Sequence, residues 1–204
     1  MLRRIVDVLV ALAVLPVLAP AFLVVAAAVV LESRGPAFYG GWRVGKDGRH
    51  FRMWKFRTMV SGADRTGGAI TTQNDSRVTK VGAFLRNTKV DELPQFFNLL
   101  LGDLTLIGPR PEAPGLAEQY SAEQKQIFQV KPGITGPVQL EYTFLEAETI
   151  PQKGDAERFY LDRVLDTKIR KDLDYQKTRT AISDCRVVFQ TVSLMVRALT
   201  QSNG

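Results

Sequence analysis

The sequence is poor in the two residues that most often supply thiol chemistry and metal ligands. Its 204 residues contain one cysteine, Cys185, and one histidine, His50. A single cysteine excludes an intramolecular disulfide framework and a zinc site built on cysteines. A single histidine argues against histidine triads and histidine-rich metal centres. Any reaction would therefore depend on carboxylates, hydroxyls, lysine and arginine, with a hard cation such as Mg²⁺ if phosphate takes part.

Charge is absent from one long stretch, residues 8–31, in which 22 of 24 side chains are hydrophobic and the other two residues are Pro16 and Pro20. As a helix this stretch would be about 36 Å long, enough to cross a hydrocarbon core of about 30 Å. The prolines, four residues apart near its middle, favour a kink or a break. The rest of the chain is polar enough for one modest domain that folds in water, which excludes a polytopic membrane protein.

Basic residues flank this apolar run on both sides. The chain carries 27 Lys and Arg against 21 Asp and Glu, a formal balance of +6, and the excess lies within residues 1–60. Because basic flanks stay on the cytoplasmic side of a membrane, both ends of the run are expected there. A re-entrant helix that breaks near its prolines meets this requirement, whereas a straight span does not. The charges and prolines alone leave a re-entrant helix and a kinked span open, and a cleaved signal sequence is the weaker alternative.

Turn residues and hydrophobic periods divide the remainder of the chain. Residues 37–59 alternate apolar and basic segments around glycine turns, which predicts a β-hairpin. From residue 181 onward, apolar residues recur every three or four positions, which predicts an amphipathic helix that packs on the domain, lies in the membrane interface, or does both. The expected fold class is α+β, mainly helical. Further helices are expected over 81–86, 91–101, 113–128 and 156–177, with loops at 61–76 and 141–155 and a tight turn at 131–136.

Asp91 and Glu92 are the strongest candidates for chemistry. They are predicted to open a helix, where an aspartate is most often only an N-cap. Three cations near them in the sequence, Arg86, Lys89 and Arg110, together with a helix N-terminus, suit a phosphate. We expect the same surroundings to keep Asp91 ionised, so that it can attack phosphorus while Glu92 binds a metal.

A second acidic candidate is the pair Asp172 and Asp174, which matches the D-x-D pattern by which many glycosyltransferases bind a divalent metal and a nucleotide-sugar. The pattern is short and common by chance. It lies in a helical stretch of alternating charge, which is usually only a solvated face. We therefore rank this pair below Asp91 and Glu92.

Several segments taken together resemble one protein family. Residues 55–59 (KFRTM), 77–111 (RVTKVGAFLRNTKVDELPQFFNLLLGDLTLIGPRP) and 131–136 (KPGITG) follow a proline-broken apolar N-terminus. In order and spacing they closely resemble the bacterial sugar transferases that act as monotopic polyprenyl-phosphate phosphoglycosyltransferases. The likeness runs from the first residues to about Gly136 and is loose beyond residue 141.

This resemblance implies a re-entrant membrane helix over residues 1–34 and a cytoplasmic, membrane-associated catalytic domain over residues 35–204, with amphipathic interfacial helices. The implied location is the cytoplasmic face of the bacterial inner membrane. The implied reaction moves a phospho-sugar from a UDP-sugar to polyprenyl (undecaprenyl) phosphate and releases UMP. Such a reaction is the first membrane step in the synthesis of exopolysaccharide, lipopolysaccharide O-antigen, capsule or glycoprotein.

The resemblance also assigns roles to particular residues. Asp91 corresponds to the nucleophile that forms a covalent aspartyl-phosphosugar intermediate, and Glu92 corresponds to the Mg²⁺ ligand. Pro20 corresponds to the helix break, to which Pro16 adds bending. The basic positions implied to face phosphates of the donor or the carrier are Lys55, Arg57, Arg86 and Arg110.

Two departures from the family pattern concern the break and the end of the domain. Ala19 precedes Pro20 where many members have serine, so no serine side chain is available to bond the freed carbonyl. Residues 177–180 stand in place of an aromatic-serine pattern, which makes substrate details tied to that region doubtful. The tail from residue 141 is the expected place for sugar choice.

Two other functions remain as alternatives. One is a membrane-anchored D-x-D glycosyltransferase that releases UDP, and the other is a non-catalytic module that binds anionic lipid through the basic hairpin. A nucleic-acid binder fits poorly, because the basic residues adjoin the apolar run and the later helices are neutral to acidic. The partners expected are thus a UDP-sugar, polyprenyl phosphate and membrane lipid, and a homo-oligomer is left open.

Overall fold

The computed structural model describes residues 2–63, 75–142 and 156–201. Two small sheets are embedded in a mainly helical chain, as the fold class expected from the sequence requires. The strands are β1 (Phe38–Val44), β2 (His50–Phe56), β3 (Thr105–Ile107) and β4 (Gly133–Thr135). The helices are α1 (Leu2–Glu32), α2 (Lys80–Thr88), α3 (Gln95–Leu101), α4 (Pro114–Glu118), α5 (Ala156–Phe159), α6 (Leu165–Thr178) and α7 (Ala181–Gln201), with a π-helical turn, Tyr160–Val164, between α5 and α6. The predicted loop at 141–155 lies largely outside the described residues.

Helix α1 contains the apolar run and is one continuous element. Pro16 and Pro20 lie inside it, so the predicted break does not divide it into two helices. Each proline still removes one donor of the helical ladder, which leaves the carbonyls of Leu12 and Pro16 without their usual partners. Within the described residues, α1 is the one helix long and apolar enough to cross a membrane.

Both ends of α1 bind the rest of the protein. At the first end, Arg4 donates to the carbonyls of Leu99 (2.5 Å) and Leu100 (2.7 Å) at the close of α3. Asp7, which is buried, accepts from the amide of Leu106 and the hydroxyl of Thr105, both at 2.9 Å. At the other end, Glu32 accepts from the amides that open α2, at 2.8 and 3.0 Å. Residues 80–106 thus bind both ends of α1, a helix that would be about 46 Å long if it were straight.

The predicted hairpin is confirmed, and it packs on the second half of α1. Strands β1 and β2 are antiparallel, with Phe38 opposite Phe56 and Val44 opposite His50. Phe56 is almost fully buried and meets Phe22 of α1 edge to face, with ring centroids 5.3 Å apart. Val29 of α1 and Leu85 of α2 complete this apolar cluster. The hairpin is therefore fixed to both α1 and α2.

A second core forms beyond residue 113, where the prediction of one helix over 113–128 was wrong. The chain makes only the short α4 and a 3-10 turn, Gln124–Gln129. The reason is local: Ser121 and Gln124 exchange side-chain to backbone hydrogen bonds, of 3.2 and 2.8 Å, which starts a new turn. The core that these turns form with α6 comprises Leu116, Tyr120, Ile127, Tyr160, Val164, Leu165 and Ile169.

Strands β3 and β4 bring the loop 108–111 against the turn 131–136. They are parallel, with Thr105 opposite Gly133, so residues 133–135 predicted as part of a turn are a strand. A Cβ atom on Gly133 would lie 2.0 Å from the amide nitrogen of Gly108. This approach requires glycine, and it holds Arg110 at the end of β3 in a defined place.

Helix α7 confirms the predicted amphipathic helix. Its inner side packs on the domain through Val187, which is buried, and through Thr191, whose hydroxyl is 2.7 Å from that of Thr135. Its outer side is also apolar, and Phe189 is 73% exposed. The exposed large apolar residues of α7 are Ile182, Phe189, Val192, Val196 and Leu199.

Candidate active site

Asp91 and Glu92 lie on a tight turn between two helices. Lys89 ends α2 in the left-handed conformation, with φ of 60°, and the 3-10 turn Val90–Glu92 follows. Pro94 then precedes α3. Asp91 therefore does not open α3 as predicted, and neither this turn nor α3 has a side-chain N-cap bond. The common explanation of such an aspartate as a helix cap does not apply here.

The Asp91 carboxylate is buried and incompletely bonded. Asp91 is 6% exposed, and its Oδ1 has no hydrogen-bond partner within the described residues. Burial raises the pKa of Asp91; Lys55 opposes this rise and the Glu92 charge adds to it. The surroundings therefore disfavour the ionised form, contrary to the sequence-based expectation. When ionised, this carboxylate is a poorly solvated and reactive anion.

Glu92, by contrast, is held in its ionised form. Lys55 Nζ lies 2.7 Å from Oε1, and Arg110 donates to Oε1 at 2.8 Å and to Oε2 at 3.4 Å. Burial acts to raise the pKa of Glu92, but Arg110 and Lys55 outweigh it and hold the pKa well below its usual range. Two adjacent carboxylates with pKa values driven apart are typical of sites that assign them different tasks.

The two cations reach Glu92 from separate elements. Lys55 lies on β2, opposite Tyr39, and burial lowers the pKa of its ammonium group while Glu92 raises it. Asn98 of α3 fixes this part of β2, since it accepts from the amide of Trp54 at 2.9 Å and donates to the carbonyl of Arg52 at 2.7 Å. The fully buried Asn98 was not identified from the sequence, although an asparagine inside an apolar helix face is a recognisable signal.

Arg86 approaches Asp91 from α2. Its Nε donates to the hydroxyl of Thr58 at 2.8 Å, and its charge, like that of Lys89, acts to lower the pKa of Asp91. Burial lowers the pKa of Arg86 itself. Thr58 therefore orients a cation of the site. It was not identified from the sequence, although it directly follows Arg57 in the KFRTM segment.

Arg57 occupies a different place from the other three predicted phosphate-binding cations. It is buried, and it donates to the carbonyls of Arg34 (2.7 Å) and Ser33 (2.5 Å) at the end of α1. Its Nη2 also lies 3.4 Å from the carbonyl of Val29. In this structure Arg57 binds the last turn of α1, which makes its role that of an anchor.

The D-x-D pair is not assembled as a metal site. Asp172 is buried, whereas the Asp174 side chain is 75% exposed and pairs with Lys177 at 3.5 Å. The two carboxylates thus lie in different environments on α6. Among the described residues no group of three or more metal-ligating side chains occurs. The residues that could hold a metal are therefore Asp91 and Glu92, with other ligands from a substrate.

A family model described as bacterial sugar transferase matches residues 1–198. The protein belongs to the bacterial sugar transferase family. This confirms the resemblance found in the sequence and extends it into the tail beyond residue 141.

Several relatives are similar over nearly all of the chain. A UDP-glucose:undecaprenyl-phosphate glucose-1-phosphate transferase of Klebsiella pneumoniae is 38% identical over 93% of this chain and 39% of that protein. A protein of the same name from Caulobacter vibrioides is 36% identical over 93% of this chain and 68% of its own length. The exopolysaccharide production protein PSS of Rhizobium leguminosarum bv. phaseoli is 36% identical over all of this chain and 98% of its own. The chain therefore spans about two fifths of the Klebsiella relative and nearly all of the Rhizobium one.

Proposed function

We propose that the protein transfers a phospho-sugar from a UDP-sugar to polyprenyl (undecaprenyl) phosphate and releases UMP, as the initiating membrane step of polysaccharide or glycoconjugate synthesis. The observation that carries this proposal is the buried Asp91 Oδ1, which has no partner in the described part of the chain, next to a Glu92 held by Lys55 and Arg110. An unpaired carboxylate beside several cations suits attack on a diphosphate. The names of the Klebsiella and Caulobacter relatives support the same reaction class.

The first half-reaction forms a covalent intermediate. An oxygen of the Asp91 carboxylate attacks the phosphorus that bears the sugar, and a new oxygen–phosphorus bond forms. The bond from this phosphorus to the bridging oxygen breaks, and UMP leaves with the electron pair. Lys55, Arg86 and Arg110 surround the turn and would offset the negative charge that gathers on the phosphoryl oxygens.

The second half-reaction returns the enzyme to its starting state. A phosphate oxygen of the polyprenyl carrier attacks the same phosphorus, the bond to Asp91 breaks, and the carboxylate is regenerated with formation of polyprenyl diphosphate-sugar. The carrier phosphate is already anionic, so it needs no general base. A chain whose one histidine is exposed on the hairpin is consistent with such chemistry.

The residues present fit a Mg²⁺ ion that shares its ligands with the substrate. Mg²⁺ is usually bound by one or two carboxylates plus phosphate oxygens and water, and Glu92 supplies one such carboxylate directly beside Asp91. When bound, the ion would neutralise part of the diphosphate charge. Lys55 and Arg110 hold Glu92 ionised, which a metal ligand requires.

We also propose that α1 enters the membrane from the cytoplasmic face and returns to it. Support comes from Arg4 and Asp7 at one end and Glu32 at the other, all bound to the same part of the protein. A straight span would place these ends on opposite sides of a hydrocarbon core of about 30 Å. The missing donors at Pro16 and Pro20 allow a bend within the helix without dividing it.

The exposed face of α7 would then lie in the membrane interface. Arg3 of α1 acts to lower the pKa of Asp184, so the start of α7 is near the start of the membrane helix. The apolar outer face of α7 would thus continue the lipid-facing surface of α1. This arrangement keeps the site near the membrane, which is necessary because the carrier phosphate is tied to its lipid tail.

The reaction is tested by incubating detergent-solubilised protein with undecaprenyl phosphate, Mg²⁺ and a panel of UDP-sugars, and by identifying the nucleotide released. UMP is expected for at least one sugar. Release of UDP would instead indicate direct glycosyl transfer and contradict the proposal. If neither nucleotide forms and Asp91→Asn changes no measured property, the protein is a non-catalytic lipid-binding module.

The membrane placement is tested by labelling with an impermeant maleimide. In a Cys185→Ser background, single cysteines at Leu2 and Ser33 are expected to react from the same, cytoplasmic side of membrane vesicles. Reaction of the two positions from opposite sides would establish a span and contradict the re-entrant arrangement.

A further inference from the structure

A cleft adjoins the Asp91–Glu92 turn without containing either residue. It encloses about 30 Å³, or about 440 Å³ with the solvent of its open mouth, and it lies between the end of β1, the loop 109–112 and helix α6. Arg110 lines the cleft and also donates to Glu92 at 2.8 Å. A group attached to a phosphate at Arg110 would therefore be able to enter this cleft.

The cleft has apolar walls and three polar side chains that hydrogen-bond to one another. Tyr160 donates to Glu112 at 2.6 Å, and Lys168 donates to the Tyr160 hydroxyl at 3.1 Å. Lys168 also lies 4.9 Å above the Tyr160 ring. This ammonium group is thus already engaged, so the interior suits an uncharged ligand better than a second phosphate. The apolar residues of the lining include Ile127, Phe128, Val130, Leu165 and Ile169.

Asp172 is the buried carboxylate of the cleft. It lines the cleft wall and is 6% exposed. Burial raises the pKa of Asp172 to about 7; Lys168 opposes the rise and Glu112 adds to it. A carboxylate is costly to bury without a donor, and ionised it can only accept. A ligand with hydroxyl groups would supply donors to this carboxylate.

We propose that this cleft binds a hydroxyl-bearing ring of the nucleotide-sugar donor, with Asp172 accepting hydrogen bonds from ring hydroxyls. The ring is the hexose or the ribose, since both carry adjacent hydroxyls and both are joined to the diphosphate that Arg110 would hold. The inference rests on the proposed function and adds the residue that recognises the donor away from its phosphates. It also gives Asp172 a role in donor binding that needs no metal and no partnership with Asp174.

The test compares two aspartates of one helix. In an Asp91→Asn background, which prevents turnover, calorimetry measures the Kd of UDP-glucose, UDP-N-acetylgalactosamine and UMP for the parent, for Asp172→Asn and for Asp174→Asn. Asp172→Asn should weaken binding of at least one UDP-sugar about 10-fold or more. Asp174→Asn should leave every Kd unchanged, because that side chain is exposed and only pairs with Lys177.

The nucleotides distinguish the two rings. Weaker binding of UDP-sugars with unchanged UMP binding supports the hexose, and equal weakening of all three supports the ribose. Unchanged Kd values for all three nucleotides overturn the inference while leaving the proposed function intact. Failure of the parent to bind any UDP-sugar overturns the proposed function and this inference with it. Thermal melting checks folding, and Asp172→Ser serves as a second variant that removes the carboxylate.

Discussion

The Asp91–Glu92 turn and the cleft beside it are both buried and both contain carboxylates, but they differ in what surrounds them. At the turn, Lys55 and Arg110 contact Glu92 directly, and Arg86 and Lys89 act on Asp91. In the cleft, the buried Lys168 is engaged by Tyr160. Several cations around a reactive carboxylate suit a diphosphate, whereas apolar walls around the buried Asp172 suit an uncharged ring. The proposed UDP-sugar donor contains both a diphosphate and uncharged rings.

The largest difference between the two regions should come from Asp91→Asn. Because the nucleophile is removed, UMP formation should fall about 10⁴-fold or more, while the Kd of a UDP-sugar changes little. The same substitution should raise the melting temperature, since it removes a buried carboxylate whose ionisation the fold disfavours. Asp174→Asn is the exposed control, and unchanged UMP formation in Asp91→Asn would refute the assignment.

Loss of either cation that contacts Glu92 should have the next largest effect. Lys55→Met and Arg110→Met each leave a buried carboxylate less compensated and remove charge from the phosphate site, so kcat/KM should fall about 10²- to 10³-fold. Lys177→Met, at an exposed lysine of α6, is the matched control and should behave as wild type. If Lys55→Met and Arg110→Met have the same kcat/KM as Lys177→Met, the turn is not the phosphate site.

Asp172 predicts a pH-dependent stability difference. Its pKa is about 7 in the folded protein against an ordinary value of 3.8. The contribution of Asp172 to the free energy of unfolding is therefore complete below pH 3.8 and is lost as the pH rises to about 7. The gain in unfolding free energy from Asp172→Asn should therefore be larger at pH 8.5 than at pH 5.5, by up to about 2 kcal/mol. Denaturant titration at the two pH values measures it. The groups facing Asp172 are Lys168, Glu112, Tyr120 and Tyr160, and a difference that shrinks with pH would contradict the burial argument.

The smallest expected effect is a shift of the acid limb of activity. Turnover needs ionised Asp91, whose pKa burial raises, so the rate should fall with pH before an ordinary aspartate would protonate. The Glu92 charge adds to this rise, so the residual activity of Glu92→Gln should have its acid limb at lower pH. A rate–pH profile of both proteins tests this, and a limb that stays in place or moves to higher pH would contradict the coupling of the two carboxylates.

Much of the fold follows from local sequence pattern. Alternation around glycine turns predicted the hairpin, and a three-to-four residue repeat predicted α7, because each pattern reports the face that an element buries. The helix over 113–128 could not be predicted from apolar spacing alone. There, the reciprocal bonds of Ser121 and Gln124 decide where a new turn starts.

The candidate site could be predicted in its members but not in its electrostatics. Lys55 and Arg57 are two residues apart, which on one strand would place them on the same face. Strand β2 ends at Phe56, so Arg57 turns away to the carbonyls that end α1. Likewise, counting cations near Asp91 predicted an ionised carboxylate, because the sequence does not show how far the side chain is buried.

The most direct measurement is the intact mass of the protein after incubation with Mg²⁺ and an accepted UDP-sugar, in the absence of polyprenyl phosphate. The account predicts that one phospho-sugar adds to the protein, that the adduct maps to Asp91, and that undecaprenyl phosphate then discharges it. The adduct should be absent from Asp91→Asn and present in Asp174→Asn. UMP formation that occurs only when both substrates are present, with no adduct under any condition, would contradict a covalent role for Asp91.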